Sequence, residues 1–460
     1  MKKTLKFFSM AAIFLAVATL TGCEKENENE QPAATGVVKT STTTICLDAS
    51  DGSKNLTGTG VKTFVAGEKV AVVYENTSDD MVKVEVTLVA GAITSDGKSA
   101  VITVDMTDPK NNGNVKFIYP AAMAKADGTV NYDTLYEQDG TLETLSRDLD
   151  LSLYEGTLSG TDLPANPLLT NQLAICKFTL KSLPNYDALT GITGFYISDG
   201  THFYMVTPAS ATSEPLWVAM KPVNNQSITL RAINSTNRFE KVVTGKSLAA
   251  GNMYHLNLYM DTLPEGTLFG TFSVGATTTV RFSQGNLNEG GSFAAHQYDD
   301  GALIKEHEIP NKGPKWHIPT KENWEYLLGD NATRTGKRGT AKVCGKNGLV
   351  ILPDDWVLPK GCTFNAVINY WDDNIYDAAA WVKMEAAGAV FLVAAGYADN
   401  SNTYEYGSAG HYWTESFYQD EYHYYYLQFF ARTPTNEGGG IVTEWNGIWY
   451  MRQSVRLFYY

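Results

Sequence analysis

The stretch Lys69-Val-Ala-Val-Val-Tyr74, with Val82-Lys-Val-Glu-Val-Thr-Leu88 and Ala100-Val-Ile-Thr-Val-Asp105 after it, decides the fold class of the first half of this chain. Each segment is short, rich in β-branched residues and bounded by turn residues, which is typical of a β-strand. Comparable segments follow at 114–119, 176–180, 194–197, 227–232 and 248–259. Strands at this spacing predict β-sandwiches, and the length predicts two of them, over residues 37–160 and 161–262.

The N-terminus has the organisation of a secretion signal over residues 1–22. Three lysines precede an apolar run that is too short to span a bilayer as a helix. The run ends in Leu20-Thr21-Gly22-Cys23, which resembles a bacterial lipobox, so we expect cleavage before Cys23 and lipidation of this residue; an ordinary signal peptide is the alternative. Residues 23–36 are polar and acidic, which predicts a solvated tether and is similar to surface-export signals of Gram-negative lipoproteins.

Charge and cysteine content exclude several classes of partner and site. Removing the three signal lysines from the formal net charge of −14 leaves −17, a surface that repels nucleic acid and anionic lipid. Cys176 lies in an apolar stretch and is predicted to be a buried free thiol. Cys344 and Cys362 have a spacing that would allow a disulfide in an oxidising compartment, and the sequence leaves this open.

Four segments resemble motifs of fimbrillin-like lipoproteins, in the order in which that family has them. They lie at 66–74, 117–120, 171–178 and 248–258. The resemblance implies one or two fimbrillin-like β-sandwiches, in proteins that build pili or pilus tips or act as surface adhesins. Shaft subunits of this type are thought to be cleaved after an early arginine. No arginine precedes Arg147 here, which favours a tip or a stand-alone adhesin.

The last part of the chain, 265–460, resembles the C-type-lectin-like fold of the formylglycine-generating-enzyme type. The segments that carry the resemblance include Trp316-His-Ile-Pro-Thr320, Asn347-Gly-Leu-Val-Ile-Leu-Pro353, Tyr412-Trp-Thr-Glu-Ser416 and Ser454-Val-Arg-Leu457. The resemblance implies an α+β domain. Five residues match apolar scaffold positions of the family: Tyr412, Trp413, Leu427, Phe429 and Leu457.

A helix is predicted to begin in the first of these segments. Thr320 is its predicted N-cap, with Asn323 at the N3 position. Trp324, Leu327 and Leu328 then share one face, which should pack against the core.

The chemistry of an enzyme is not predicted. The formylglycine-generating enzyme uses a late pair of cysteines, and no cysteine follows Cys362. Nucleophile-elbow and zinc-protease motifs are missing from the sequence, and its seven histidines are scattered. Trp445-Asn446-Gly447 and Glu308-Ile-Pro-Asn311 are only fragments of the calcium motifs of sugar-binding lectins. We therefore expect no catalytic residues, no metal and no cofactor.

Aromatic residues are concentrated late in the chain. Fourteen of the 26 tyrosines lie at or after Tyr370, among Asn, Asp, Ser and Thr, which is the composition of a recognition surface. Core packing is the alternative explanation for each of them. The predicted ligand-binding residues are Tyr404, Tyr406, Tyr422, Trp445, Asn446 and Trp449. The same composition fits a segment diversified by adenine mutation, which one sequence cannot test.

Three functions remain open from the sequence. The first is an adhesin, lipid-anchored in the outer membrane and exposed at the surface, whose C-terminal domain binds a host or microbial glycan or protein. The second is a structural or capping subunit that contacts other pilus subunits. The third is a divergent enzyme or a lipoprotein that captures glycans for a transporter. The missing catalytic motifs count against the enzyme.

Overall fold

The computed structural model describes residues 36–48, 62–329, 331–399, 402–418, 423–432, 439–448 and 450–460, and for 444–448 it describes the backbone alone. The described chain is mainly β-structure, which confirms the predicted fold class of the N-terminal part. Cys23 lies outside the described residues, as do the signal segment and the tether up to residue 35. Within the described part, no helix has both the length and the apolar character needed to cross a membrane.

The first sheet has seven strands, in the order β3-β2-β5-β7-β8-β1-β4. Strand β6 and helix α1 lie on a long excursion between β5 and β7. The bounds in this region are β1 Val38–Leu47, β2 Lys69–Glu75, β3 Met81–Thr87, β4 Ser99–Thr107, β5 Asn114–Tyr119, β6 Glu137–Gln138, α1 Leu142–Thr144, β7 Ser152–Thr157 and β8 Leu168–Asn171.

Strand β2 is buried on both faces. Val70 and Val72 pack into the core of the first sheet, whereas Ala71 and Val73 pack into the core of the second sheet. A strand covered on both faces needs apolar residues at every position instead of a strict alternation. Burial on both faces explains why residues 70–74 form an unbroken apolar run.

The second sheet has eight strands, in the order β12-β9-β15-β14-β13-β10-β11-β6. Its further strands are β9 Ala174–Ser182, β10 Gly194–Ser198, β11 Phe203–Val206, β12 Leu216–Met220, β13 Val223–Ile233, β14 Arg238–Leu248 and β15 Met253–Thr262. Each of the two sheets includes one strand from the other side of residue 160, where the sequence predicts the boundary between the two sandwiches. β8 lies beyond that residue and belongs to the first sheet, while β6 lies before it and joins the second. The placement of β6 and β8 results from pairing with strands distant in the chain, which a local sequence pattern does not predict.

The described residues of the C-terminal part form smaller sheets and two α-helices. Its elements are β16 Phe272–Ser273, β17 Thr279–Phe282, β18 Trp316–His317, α2 Lys321–Leu328, β19 Arg338–Val343, β20 Lys346–Ile351, β21 Ile375–Tyr376, α3 Ala378–Ala386, β22 Val390–Val393, β23 Tyr397–Asp399, β24 Asn402–Tyr404, β25 Ala409–Phe417, β26 His423–Phe430, β27 Gly440–Ile448 and β28 Phe458–Tyr459. β17 pairs with β28, so the two ends of this unit lie together.

Helix α2 begins as predicted. The hydroxyl of Thr320 accepts the backbone N–H of Asn323, and the Asn323 side chain accepts the backbone N–H of Thr320, which completes a capping box. Trp324, Leu327 and Leu328 are buried on one face, as expected. The five predicted scaffold residues Tyr412, Trp413, Leu427, Phe429 and Leu457 are also buried.

Hydrogen bonds and ion pairs around the buried guanidinium of Arg231 join the second sheet to the C-terminal unit. The guanidinium of Arg231 donates to Glu240 at 2.9 Å, to the carbonyl oxygen of Ala387 at 2.9 Å and to Asp355 at 3.1 Å. Arg281 donates to the other carboxylate oxygen of Glu240 at 2.6 Å. Arg231 and Glu240 are largely shielded from water, so their charge-assisted bonds resist screening by salt, whereas Asp355 is 43% exposed.

The four cysteines in the described part are free. Cys176 is buried, as predicted, and burial raises the pKa of its thiol to about 12. Cys344 and Cys362 do not form the disulfide that their spacing left open.

Candidate functional site

The predicted ligand-binding residues fall into three groups. Tyr404 ends β24 and Tyr406 follows two residues later, and both side chains are exposed. Trp445 and Asn446 lie on β27, where their backbones pair with Tyr426 and Tyr425 of β26. The predictions for Tyr422 and Trp449 lie outside the described residues.

Tyr406 belongs to a polar surface cluster. Its hydroxyl donates to a carboxylate oxygen of Asp300 at 2.8 Å and accepts from the ammonium of Lys346 at 2.7 Å. The same ammonium binds Asp300 at 3.0 Å and lies 5.3 Å from the centre of the Tyr406 ring. This tyrosine is therefore committed to neighbours within the protein.

A pocket of about 270 Å³ opens beside the β23–β24 hairpin, and we call it the hairpin pocket. Its wall comes from the hairpin, from β25 and β26, and from the segment before β28. The lining residues are Tyr397, Glu405, His411, Tyr426, Gln428, Met451 and Gln453.

Glycine shapes the entrance of the hairpin pocket. Gly396 has a φ of +68°, which few other residues adopt without strain, and a Cβ there would overlap the carbonyl oxygen of Tyr404. The backbone N–H of Gly396 donates to the carbonyl oxygen of Ala409 at 2.9 Å. Glu405 also has a left-handed backbone, with φ 55°. The hairpin therefore folds back closely on β25 and places the Glu405 side chain at the pocket.

Aromatic rings form one side of the site. Tyr397 and Tyr404 face each other across the hairpin, and their rings stack with centroids 5.1 Å apart and planes inclined by 21°. The ring of His411 lies 4.9 Å from that of Tyr397 and 5.3 Å from that of Tyr426. Tyr404, predicted from the sequence, thus supports a ring that lines the pocket.

The polar side of the pocket is centred on Glu405. Its carboxylate oxygen lies 2.7 Å from Nε2 of His411 and accepts the side-chain amide of Gln428 at 3.2 Å. Burial lowers the pKa of His411, and the Glu405 carboxylate opposes this only in part. The imidazole is therefore neutral at pH 7, and because a carboxylate can only accept, its Nε2–H donates to Glu405.

Gln453 brings an unpaired acceptor to the site. Its side chain is 1% exposed, and its Oε1 has no hydrogen-bond partner among the described residues. An amide oxygen buried without a partner is costly, and such groups commonly mark a place where a ligand or water binds.

Only part of this site was visible in the sequence. The late tyrosines include Tyr397 and Tyr426, but the sequence pattern does not predict Glu405, Gln428 or Gln453, and it does not single out His411 among the histidines. The available signal was the pair of glycines around Tyr397-to-Glu405, since Gly396 and Gly407 bracket a hairpin that returns sharply on itself.

The described residues show no cluster of three or more His, Cys, Asp or Glu side chains that could hold a metal ion. Asp354 and Asp355 are adjacent carboxylates in the sequence, and Asp354 accepts a hydrogen bond from buried Arg334 at 2.8 Å. The adjacent Asp355 binds Arg231 at the joint described above, so this carboxylate pair has a structural explanation.

Acid should weaken the fold through His411. Because the folded state holds the pKa of His411 below its ordinary 6.5, the unfolded chain binds more protons as the pH falls below that value. Stability is therefore expected to rise with pH through this window and to fall on acidification. Melting temperatures between about pH 5 and pH 8 should show this slope in the natural protein and a smaller slope in His411→Gln. Equal slopes would contradict the assignment.

Comparisons with known proteins give structural likeness only. No protein-family model matches the chain, and no curated protein matches it. Three solved structures that superpose on about half of it are a candidate cell adhesion protein from Bacteroides fragilis, a fimbrial assembly protein from Parabacteroides distasonis and the shaft pilin SpaA from Lactobacillus rhamnosus GG.

The first of these is 13% identical, covers 53% of this chain and 97% of its own, and has a TM-score of 0.30. The second is 11% identical, with coverages of 54% and 96% and a TM-score of 0.28. The third is 10% identical, with coverages of 50% and 99% and a TM-score of 0.23. Scores this low support no conclusion about what the present chain does.

Proposed function

We propose that this protein is a cell-surface adhesin without catalytic activity, and that it binds a glycan or protein ligand through the hairpin pocket of its C-terminal unit. The observation that carries the proposal is the pocket itself: stacked tyrosine rings stand beside a carboxylate and a buried amide oxygen that lacks a partner. Rigid amphipathic rings with a few placed polar groups are what recognition sites use. The resemblance to fimbrillin-like proteins supports a surface role, with the two large sheets serving as the stalk.

Removing one ring should separate binding from folding. We expect Tyr397→Ala to weaken ligand binding about tenfold, because it removes both a pocket wall and the stack with Tyr404. The full chain should be assayed on arrays of glycans and of host extracellular proteins, with and without calcium. Tyr186→Ala is the matched control, since that ring is exposed and lies in the second-sheet region. Equal binding by both variants would remove the pocket from the proposal.

We also propose that Cys23 carries the lipid that anchors the protein in the outer membrane. The support is the lipobox-like sequence before Cys23 and the acidic segment after it. Growth with a palmitate analogue that can be tagged should label the natural protein and leave Cys23→Ser unlabelled. Protease treatment of intact cells tests surface exposure. Labelling of the Cys23→Ser variant would show that the lipid is attached elsewhere, and an unlabelled natural protein would show that the signal is of the ordinary kind.

A structural or capping role in a pilus is the second candidate. The contacts of buried Arg231 with Ala387 and Asp355 favour it, because they join the C-terminal unit to the second sheet as a cap would require. Contacts with other pilus subunits belong to this alternative. A folded chain that binds no array component and co-purifies with filaments would favour the cap over the adhesin. Capture of glycans for a transporter would instead predict release of the ligand to a partner in the same membrane.

A further inference from the structure

We propose that the hairpin pocket selects a terminal sugar ring that donates hydroxyl hydrogen bonds and carries no acidic group; this rests on the binding role proposed above and names its ligand class. Four properties of the described residues lead to it: the hydrogen-bonding balance of the pocket, its charge, its aromatic wall and its size.

The hydrogen-bonding groups of the pocket suit a ligand rich in hydroxyl groups. His411 and Gln428 each donate one N–H group to the Glu405 carboxylate. The buried Oε1 of Gln453 is an acceptor without a partner. The hydroxyls of Tyr397 and Tyr426 in the lining can both donate and accept, so a ligand whose own O–H groups do both suits the pocket. The exposed Glu405 carboxylate and the Gln453 oxygen add acceptors for those O–H groups.

The charge of the pocket is negative. Glu405 is the charged side chain of the described lining, and its carboxylate remains 43% exposed. No lysine or arginine lines the described wall, and His411 is neutral at pH 7. A ligand carboxylate or sulfate would meet like charge without a compensating cation, whereas a neutral ring meets no such repulsion.

The aromatic wall and the size suit one ring. Tyr397, stacked on Tyr404, and Tyr426 offer apolar surface of the kind that the C–H face of a sugar covers. The volume of about 270 Å³ is smaller than the roughly 300–1,000 Å³ of pockets that enclose drug-sized molecules. The end of a glycan, and not its middle, therefore fits the pocket.

Two variants test separate parts of the proposal. Gln453→Met removes the unpaired acceptor and keeps the shape of the side chain. We expect it to weaken binding of neutral-ended glycans about tenfold while the melting temperature stays unchanged or rises, because an orphaned polar atom leaves the interior. A purely structural glutamine would give the opposite pattern, lower stability with unchanged binding. Glu405→Gln should reduce discrimination against acidic ends.

The assay uses the full chain on an array of glycan pairs that differ only by a terminal sialic acid. We expect the neutral member to bind at least tenfold more tightly, and Glu405→Gln to narrow this ratio at least threefold. Acidic ends that bind as well as neutral ones would overturn the inference, as would a ratio that Glu405→Gln leaves unchanged. Binding to host proteins and to no glycan would overturn the inference alone. Binding to neither class would overturn the proposed function as well.

Discussion

Replacing Asp150 by asparagine is expected to lower the free energy of unfolding by about 3–5 kcal/mol, because it leaves a buried ammonium without its counter-charge. Lys62 and Asp150 are each 6% exposed at the side chain, and the ammonium lies 3.1 Å from the carboxylate. The ammonium also donates to the backbone carbonyl of Asp150 and, at 3.0 Å, to the hydroxyl of Ser152. Its three N–H donors are thus matched by three acceptors in the interior.

An upper limit to this cost follows from deprotonation. Burial lowers the pKa of Lys62, and the charge of Asp150 opposes that effect. Without the aspartate, Lys62 can lose its proton, which costs about 1.36 kcal/mol for each unit between pH 7 and its unfolded pKa near 10.5, or roughly 5 kcal/mol. The loss in free energy of unfolding caused by Asp150→Asn should therefore become smaller as the pH approaches 10, where deprotonation of the Lys62 ammonium costs little free energy.

Denaturant unfolding at pH 7 and near pH 10 measures both effects. Asp162→Asn is the matched control, because Asp162 pairs with Lys39 at 3.1 Å on the surface, with both side chains at least 40% exposed. A surface pair of this kind is worth about 0–1 kcal/mol. Similar losses in the two variants would mean that the buried pair is no more important than the exposed one.

Replacing Gly396 by alanine is expected to reduce ligand binding at least thirtyfold, a loss of about 2 kcal/mol, and to destabilise the C-terminal unit. An added Cβ would overlap the carbonyl oxygen of Tyr404, and backbone cannot rotate away as a flexible side chain can. Relief requires the β23–β24 hairpin to move away from β25. That movement would separate Tyr397 and Glu405 from His411 and dismantle the hairpin pocket.

Gly407→Ala provides a close control for this experiment. Gly407 has a φ of +72°, almost that of Gly396, but a Cβ there would have nothing within 4 Å. Both variants should lose the roughly 1–2 kcal/mol that a left-handed backbone costs an alanine. Only Gly396→Ala should also lose binding, as measured on the glycan and protein arrays beside the melting temperature. Equal binding losses would attribute the effect to backbone strain and not to hairpin position.

Together these variants probe two levels of the molecule. Asp150 is buried in the N-terminal part, far along the chain from the C-terminal unit. Gly396 acts at the proposed site. An adhesin of the proposed kind needs a stable stalk and a correctly formed binding pocket. Asp150→Asn tests the first requirement and Gly396→Ala tests the second.

The amino-acid sequence by itself determined the local structure. Apolar and β-branched runs placed strands such as β2, β4 and β9, because side chains on a pleated strand alternate between two faces, and a strand buried on both faces is apolar throughout. Thr320 and Asn323 set the start of α2, because a capping box involves only residues within one turn. Burial of Tyr412, Trp413 and Leu427 was expected from the resemblance of residues 265–460 to the C-type-lectin-like fold. The strand and helix predictions depend on residues that are neighbours in the chain.

Tertiary structure alone decided the exchange of β6 and β8 between the sheets and the assembly of the hairpin pocket. The lining residues run from Tyr397 to Gln453, and strand pairing, not sequence spacing, brings them together. Whether Gln453 has a partner, or His411 is neutral, depends on burial and on which side chain lies within 3 Å. The energy of such contacts is set by distance and solvent exclusion in three dimensions, and a linear pattern does not contain those quantities.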